Sequence, residues 1–109
     1  MAGLEERSHV LTVPTRGKGF VNFTRAVAAW LQSIRAEGGL LTVFITHTSA
    51  SLTIQENADP NVRVDLLDAL ERIAPEDHPY AHHEEGPDDM PSHIKSMLTS
   101  VSLSIPVRE

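Results

Sequence analysis

Residues 47–60 read HTSASLTIQENADP. Polar and apolar residues alternate through most of this stretch, and successive side chains of a β-strand point to opposite faces of a sheet. One face of the predicted strand would carry only hydrogen-bonding side chains, those of His47, Ser49, Ser51, Thr53 and Gln55. Burying such a row is costly, so this face is expected to meet water, a cavity or a partner.

Two further strands are predicted on either side of this stretch, and one more near the N-terminus. Residues 40–45 are apolar and rich in β-forming residues, which predicts a buried strand that leads into His47. Residues 101–107 alternate apolar and polar side chains, which is typical of a half-buried strand. Residues 10–13 are predicted to form a short strand of their own.

Three helices are predicted around these strands. Apolar residues recur at helical spacing over residues 23–34, with Asn22 as the expected N-cap and Gly38-Gly39 as the expected end. Asp59 followed by Pro60 predicts the start of a second helix, because a capping carboxylate is followed by proline at the first helical position. Pro91 is expected to open a short third helix.

The composition is that of an ordinary globular protein, with 109 residues, 40% apolar and 22% charged. No apolar run is long enough to span a bilayer, and no signal-peptide pattern is present, so we expect no membrane association. The absence of cysteine excludes disulfides and thiolate zinc sites and fits a cytoplasmic protein. A net charge of −6 without a basic cluster disfavours nucleic-acid binding.

A second polar cluster occupies residues 82–93. Four of the six histidines fall between His78 and His93, and five prolines and glycines interrupt residues 75–91. These features predict a long loop, and loops of this length in compact domains are usually functional or disordered. The aromatic and histidine content favours an ordered loop. We interpret the two polar clusters as the two halves of one site.

Metal binding is the first chemistry that these clusters suggest. Neutral imidazole is the commonest protein ligand for zinc, and three protein ligands with an open position form a catalytic type of site. His47, His82 and His93 would supply three such ligands. Their spacing matches no compact zinc signature such as HExxH, so each is alternatively an ordinary surface or hydrogen-bonded histidine.

Other interpretations stay open. The carboxylates of residues 84–89 would suit magnesium or a cationic substrate, or they form a solvated acidic loop. A serine nucleophile beside His47 is disfavoured, because residues two apart on a strand face lie roughly 6–7 Å from each other. The Ser49 and Ser51 hydroxyls are instead expected to hydrogen-bond a ligand or a neighbouring strand. Asn57 and Asp59 also have a helix-capping explanation.

The sequence resembles the YjbQ family from about residue 40 to the C-terminus. Three motifs in this order carry the resemblance: HTSASLTIQENADP, then HxxEGPDDMPSHIK from His82, then SLSIPV. The resemblance implies an α+β fold, namely a β-sandwich of mainly antiparallel strands with two to three flanking helices. It also implies homotrimers with a histidine-containing pocket near the subunit contacts.

The activity implied by the resemblance is a weak thiamine-phosphate synthase, a transferase that joins an aminopyrimidine diphosphate to a thiazole phosphate and releases diphosphate. The substrate would then be a phosphorylated small molecule, and a divalent metal, zinc or magnesium, would be the cofactor. The alternative is a non-catalytic trimeric module that binds a metal or a small ligand.

Site residues are carried over from the two longer motifs. The expected metal ligands are His47, His82 and His93. The expected catalytic residues are His47, Glu56, Asn57, Asp59, Asp88, Asp89 and Lys95. Among these, the carboxylates of Glu56, Asp88 and Asp89 would orient the imidazoles, and Lys95 would offset phosphate charge. Ser49 and Ser51 would contact the bound ligand.

The family pattern continues past the last strand into a glycine-rich turn and a Gly-Thr-Trp-Gln strand, whereas this sequence stops at Glu109. Residues 1–109 are therefore expected to form a single YjbQ-like domain that lacks this strand.

Overall fold

The computed structural model of the protein describes residues 3–47, 49–56 and 58–108. The chain divides into two compact units, Met1–Ala36 and Glu37–Glu109. The elements found in the described residues are α1 (Thr24–Ser33), β1 (Gly39–Phe44), α2 (Pro60–Ile73), α3 (Asp89–Leu98) and β2 (Ser102–Val107). The predicted α+β class is confirmed at this level, as three helices and a two-stranded antiparallel sheet.

The first unit contains α1. Asn22, predicted as the N-cap, lies one residue before that position, although its Oδ1 accepts a hydrogen bond from the Thr24 N–H at 3.0 Å and satisfies one of the free donors at the helix start. The N-cap position itself is occupied by Phe23. The strand predicted for residues 10–13 is wrong, since residues 3–23 contain no strand. A four-residue segment of this kind, with three apolar residues and a threonine, does not form a strand without a neighbouring strand to pair with its backbone hydrogen-bonding groups.

The end of α1 differs from the prediction. The helix stops at Ser33, where Arg35 takes the left-handed conformation with a φ of 55°. The Arg35 N–H donates to the Gln32 carbonyl, and the Ala36 N–H donates to the Leu31 carbonyl, each at 3.0 Å. This pair of bonds is the Schellman arrangement that usually ends on glycine. An arginine therefore closes α1, and Gly38-Gly39 is not used for that purpose.

The second unit is organised around the antiparallel pairing of β1 with β2. Leu41 lies opposite Ile105 and Val43 opposite Leu103, so half-buried apolar side chains share one face of the sheet. The strands predicted for residues 40–45 and 101–107 are confirmed. Strand β1 begins and ends one residue earlier than predicted, and β2 begins one residue later.

The alternating stretch after β1 does not continue as a regular strand in its described residues. Its only ladder contact there is an isolated bridge between Leu52 and Ser100, with N–H to carbonyl distances of 2.6 and 2.9 Å. The strand prediction for this stretch is therefore wrong over residues 49–55. The segment with which this stretch would pair is short, because α3 ends at Leu98 and β2 begins at Ser102, which leaves few extended residues between them.

Helices α2 and α3 begin close to the predicted positions. Asp59 is the N-cap of α2, and its Oδ1 accepts a hydrogen bond from the Asn61 N–H at 2.9 Å, which confirms the Asp59-Pro60 prediction. Helix α3 begins at Asp89, two residues before the predicted start at Pro91. Proline fits at the third helical position because the first four N–H groups of a helix have no partner within it.

Few side chains of the second unit are fully enclosed. Leu52, Ala74 and Pro91 are the buried residues among those that the structure describes. Leu52 lies in the alternating stretch, Ala74 follows α2, and Pro91 is in the first turn of α3, so two of the three buried residues flank the histidine-rich loop.

No helix in the described ranges is long and apolar enough to cross a bilayer.

Replacing Asp59 by alanine is expected to lower the free energy of unfolding by about 1 kcal/mol, because the Asn61 N–H loses its acceptor. Asp59→Asn is the matched control, since asparagine caps helices about as well as aspartate. Urea denaturation followed by circular dichroism measures both variants. Equal stability of the alanine and asparagine variants would contradict a capping role for Asp59.

Candidate metal centre

Three side chains of the histidine-rich segment converge on one point. Asp89 Oδ2 lies 2.7 Å from His82 Nε2 and 3.2 Å from His93 Nε2. The ligand atoms of the three residues all lie within 4.8 Å of one another. The two imidazole rings are 5.8 Å apart and nearly perpendicular, at 71°. We call His82, Asp89 and His93 the His-Asp-His group.

Helix α3 supplies two members of the group. Asp89 and His93 are four residues apart, so their side chains are neighbours on one helix face. Asp89 is the first residue of the helix, and the side-chain hydroxyl of Ser92 donates to the Asp88 carbonyl at 2.8 Å in the same turn. Because the helix fixes the spacing, the carboxylate and one imidazole are brought together without any contribution from the loop.

The loop before α3 brings His82 to the other side of Asp89. The Tyr80 hydroxyl donates to the Pro75 carbonyl at 2.6 Å and closes the first part of this loop. The Gly86 N–H lies 3.4 Å from the His83 carbonyl and marks a second turn. Gly86 has a φ of +108°, which residues with a Cβ rarely adopt. The order of the loop, predicted from its composition, thus has specific contacts behind it.

The spacing of the donor atoms fits a metal ion. Two atoms bound to one zinc ion at about 2.0–2.2 Å are themselves roughly 3.0–3.5 Å apart. The two distances to Asp89, 2.7 and 3.2 Å, are close to this spacing, and the two imidazole nitrogens lie within 4.8 Å of each other, so the histidine side chains would shift to share an ion. Without an ion, Asp89 Oδ2 accepts a hydrogen bond from His82 Nε2, because a carboxylate only accepts, and His93 Nε2 lies 3.2 Å from the same oxygen.

The group is open to solvent on its histidine side. The side chains of His82 and His93 are 45% and 49% exposed, whereas that of Asp89 is 20% exposed. Three protein ligands with accessible space beyond them leave coordination positions for water or substrate. No lysine or arginine occurs between Arg72 and Lys95, so the nearby charge in sequence is acidic and favours a cation.

His47 is not a member of the His-Asp-His group. It follows β1 and is exposed, and its Nδ1 accepts a hydrogen bond from the Ser49 N–H at 3.0 Å. Metal ligation by His47, and the hypothesis that the two polar clusters form one site, stay predictions.

The other expected residues of the first cluster have structural surroundings. Glu56 is exposed, Asp59 caps α2, and Asn57 lies outside the described residues. Ser49 is exposed, while Ser51 Oγ accepts a hydrogen bond from the Thr99 hydroxyl. The Ser51 contact joins the alternating stretch to the C-cap of α3, whereas the sequence suggested a ligand or a neighbouring strand as the partner of these hydroxyls. A direct role of these residues in catalysis stays a prediction.

In the second cluster, Asp88 and Lys95 lie away from the shared point. Asp88 occupies the N-cap position of α3, and its carbonyl accepts the Ser92 N–H at 3.1 Å. Lys95 Nζ lies 3.1 Å from Glu71 Oε1 and connects α3 to α2. The carboxylate of Glu71 offsets part of the charge that Lys95 would bring to a phosphate.

The sequence predicted that Asp89 orients the imidazoles. In the structure its carboxylate oxygen instead lies among the potential ligand atoms, together with the nitrogens of His82 and His93. The spacing Asp-x-x-x-His across a helix start was the available signal for this arrangement. The extra loop histidine, His83, was also not selected as a site residue. Its Nδ1 lies 3.0 Å from the Ala81 carbonyl, a contact that no sequence pattern indicated.

The motifs and the fold agree with comparisons to known proteins. The family model described as UPF0047 protein YjbQ-like matches residues 9–109. The chain belongs to the YjbQ family. This match spans both compact units, and whether they form the expected single domain stays a prediction.

Members of the YjbQ family from several organisms align over most of the chain. UPF0047 protein sll1880 of Synechocystis is 46% identical over 97% of this chain and 73% of its own length. UPF0047 protein YjbQ of Salmonella typhimurium is 43% identical over 91% of this chain and 72% of its own. The crystal structure of the conserved hypothetical protein TT1486 from Thermus thermophilus superposes with a TM-score of 0.81 at 43% identity, over 91% of this chain and 75% of that one.

We expect tag-free wild-type protein to contain about one zinc per chain after incubation with zinc and desalting, because three ligands of the right type converge. Asp89→Asn and His93→Ala are expected to reduce the content to background. His9→Ala, in the first unit, is the control. Elemental analysis by mass spectrometry gives the ratio. Unchanged zinc in both ligand variants would contradict the site, and loss of zinc in His47→Ala would add His47 to it.

Gly86→Ala is expected to weaken zinc binding and to lower the stability of the loop by about 1–3 kcal/mol, because a Cβ at this φ is strained. The added Cβ would also lie 3.2 Å from Asp88 Oδ1. Gly19→Ala is the matched control, since nothing lies within 4 Å of its added Cβ. Zinc titration with a competing chelator and limited proteolysis measure the two effects. Identical behaviour of the two alanine variants would show that the loop does not depend on Gly86.

Proposed function

We propose that this YjbQ-family protein is a metal-dependent enzyme that acts on phosphorylated small molecules. The convergence of His82, Asp89 and His93 carries the proposal, since two imidazoles and a carboxylate are a common ligand set of catalytic metal sites. A bound divalent ion supplies Lewis-acid stabilisation of phosphate oxygens. Helix α3 holds two of the ligands rigidly, and the loop adds the third.

The specific reaction that we propose is the weak thiamine-phosphate synthase activity implied by the resemblance. It joins an aminopyrimidine diphosphate to a thiazole phosphate and releases diphosphate. Departure of diphosphate develops negative charge, which must be met by cations or oriented donors. Lys95 is paired with Glu71, so a metal at the His-Asp-His group would have to stabilise most of the negative charge on the departing diphosphate. The metal requirement is therefore a direct test of this reaction.

The expected β-sandwich and homotrimer belong to the same proposal. On β1, Leu40 and Phe44 are 68% and 65% exposed, on the face opposite Leu41 and Val43. This face also carries Thr42, Ser102 and Ser104, so the exposed Leu40 and Phe44 are two large apolar side chains on a mixed face, where another layer or another subunit can pack. This exposure supports a further sheet packed on β1 and β2 and an assembled form of the protein.

A non-catalytic trimeric module that binds a metal or a small ligand is the second candidate. The observation that favours it is the exposure of both histidines, which leaves the ligand group close to bulk water. Enzymes that transfer groups to acceptors other than water usually exclude water from the reacting atoms. A module that only stores or presents the ion has no such requirement.

The deciding experiment is saturation kinetics with zinc-loaded and magnesium-loaded protein. If the enzyme proposal holds, wild type forms thiamine phosphate with a rate that saturates in both substrates, and chelation abolishes it. Asp89→Asn, purified in the same way, is expected to lose at least about a hundredfold in kcat/KM, since removal of one strong electrostatic group typically costs 10²–10³. The residual rate of this variant also measures any activity that comes from a contaminating host enzyme. Equal rates for wild type and Asp89→Asn would reject the enzyme and leave the binding module.

A further inference from the structure

A cleft of about 500 Å³ opens beside the His-Asp-His group, on the loop side. Its lining includes Tyr80, His82, His83, Pro87 and Met90. The cleft is shallow and opens broadly to solvent, since most of its lining residues are exposed. His82 belongs both to the cleft and to the His-Asp-His group, so a ligand in the cleft would be next to the metal position.

The wall of the cleft combines flat apolar surface with a fixed ring. Tyr80 is held at its hydroxyl by the Pro75 carbonyl, and its ring lies 4.8 Å from that of His78 at an angle of 56°. Pro87 and Met90 add apolar surface. A held aromatic ring with apolar neighbours favours contact with a planar ring of a ligand.

His83 presents a defined hydrogen-bonding group on this cleft. Its Nδ1 lies 3.0 Å from the Ala81 carbonyl, which can only accept, so Nδ1 carries the proton. In the neutral ring Nε2 then has a free lone pair and acts as an acceptor. His83 therefore suits a ligand with an N–H donor.

The charge of the surrounding segment selects the sign of the ligand. Residues 76–89 contain six carboxylates, and no lysine or arginine occurs between Arg72 and Lys95. In the absence of a metal ion, the local field therefore attracts cations and repels anions.

We propose that this cleft binds a planar, positively charged ring that carries an N–H donor, and that His83 Nε2 accepts the hydrogen bond from it. The inference deepens the proposed function and rests on it in one respect. The bound ring lies next to a metal only if the His-Asp-His group, which shares His82 with the cleft, holds one. His83 is a binding and positioning residue in this arrangement.

Benzamidine and benzoate are suitable probes, because the two ions have nearly the same outline and opposite charge. Each is titrated into the ¹⁵N-labelled full chain in the presence of EDTA, and amide shifts are followed by NMR. Benzamidine is expected to shift the amides of Tyr80, His83 and Met90 in a saturable manner. Benzoate at the same concentrations is expected to leave them unchanged. Equal or tighter binding of benzoate would overturn the proposal.

Variants at position 83 test the acceptor. His83→Leu is expected to weaken benzamidine binding about tenfold, in the range typical of a hydrogen bond with a charged partner. His83→Gln, which keeps an acceptor, is expected to bind within a few-fold of wild type and keeps the test valid if the leucine variant fails to fold. His9→Leu is the control in the first unit. Unchanged affinity in His83→Leu would overturn the role of His83.

His93→Gln separates this proposal from the metal proposal. His93 contributes to the His-Asp-His group but not to the cleft lining. The variant is expected to lose zinc and to keep benzamidine binding. If wild type binds benzamidine but no zinc, the proposed function fails and the cleft stands. If wild type binds zinc but no benzamidine, the cleft proposal is overturned and the metal site stands.

Discussion

The antiparallel pairing of β1 with β2 is the constraint on which the second unit depends. Residues 39–44 pair with residues 102–107, so the intervening chain leaves the sheet and returns to it. Closing a long loop is costly in entropy, but the cost grows only slowly with loop length. One well-registered strand pair can therefore hold together a segment that contains α2, α3 and the histidine-rich loop. The Leu52–Ser100 bridge adds a second closure inside the first one.

Local signals allowed parts of this arrangement to be predicted from the sequence. The Asp59-Pro60 start of α2 was predictable because a capping bond involves only neighbouring residues. The β2 strand was predictable because its alternation matches a half-buried sheet face. The alternating stretch after His47 failed as a strand because β pairing is non-local. A stretch with this alternation forms only a single bridge when the segment opposite it, here next to Ser100, belongs mostly to a helix.

The candidate site shows the same division. His82 and His93 could be selected from the sequence as residues of suitable chemistry. The pairing of Asp89 with His93 follows from their i,i+4 spacing, but the meeting of His82 with Asp89 could not be predicted, since it depends on the loop that brings His82 back to the first turn of α3. The left-handed Gly86 and the Tyr80–Pro75 hydrogen bond make this return possible, and neither has a distinctive periodic signal. Sequence patterns thus identified the chemistry of the site, and the backbone of one loop decided which residues share it.

The acidic loop also bears on the choice between an enzyme and a binding module. A segment with six carboxylates and no lysine or arginine attracts a divalent cation but repels a diphosphate that arrives alone. An anionic substrate therefore gains most by entering after the metal, because a divalent ion beside the single carboxylate of Asp89 makes the His-Asp-His group itself net positive. A module that only holds an ion meets no such repulsion. Under the proposed function, the charge of the loop therefore favours binding of the metal before binding of a phosphate ester.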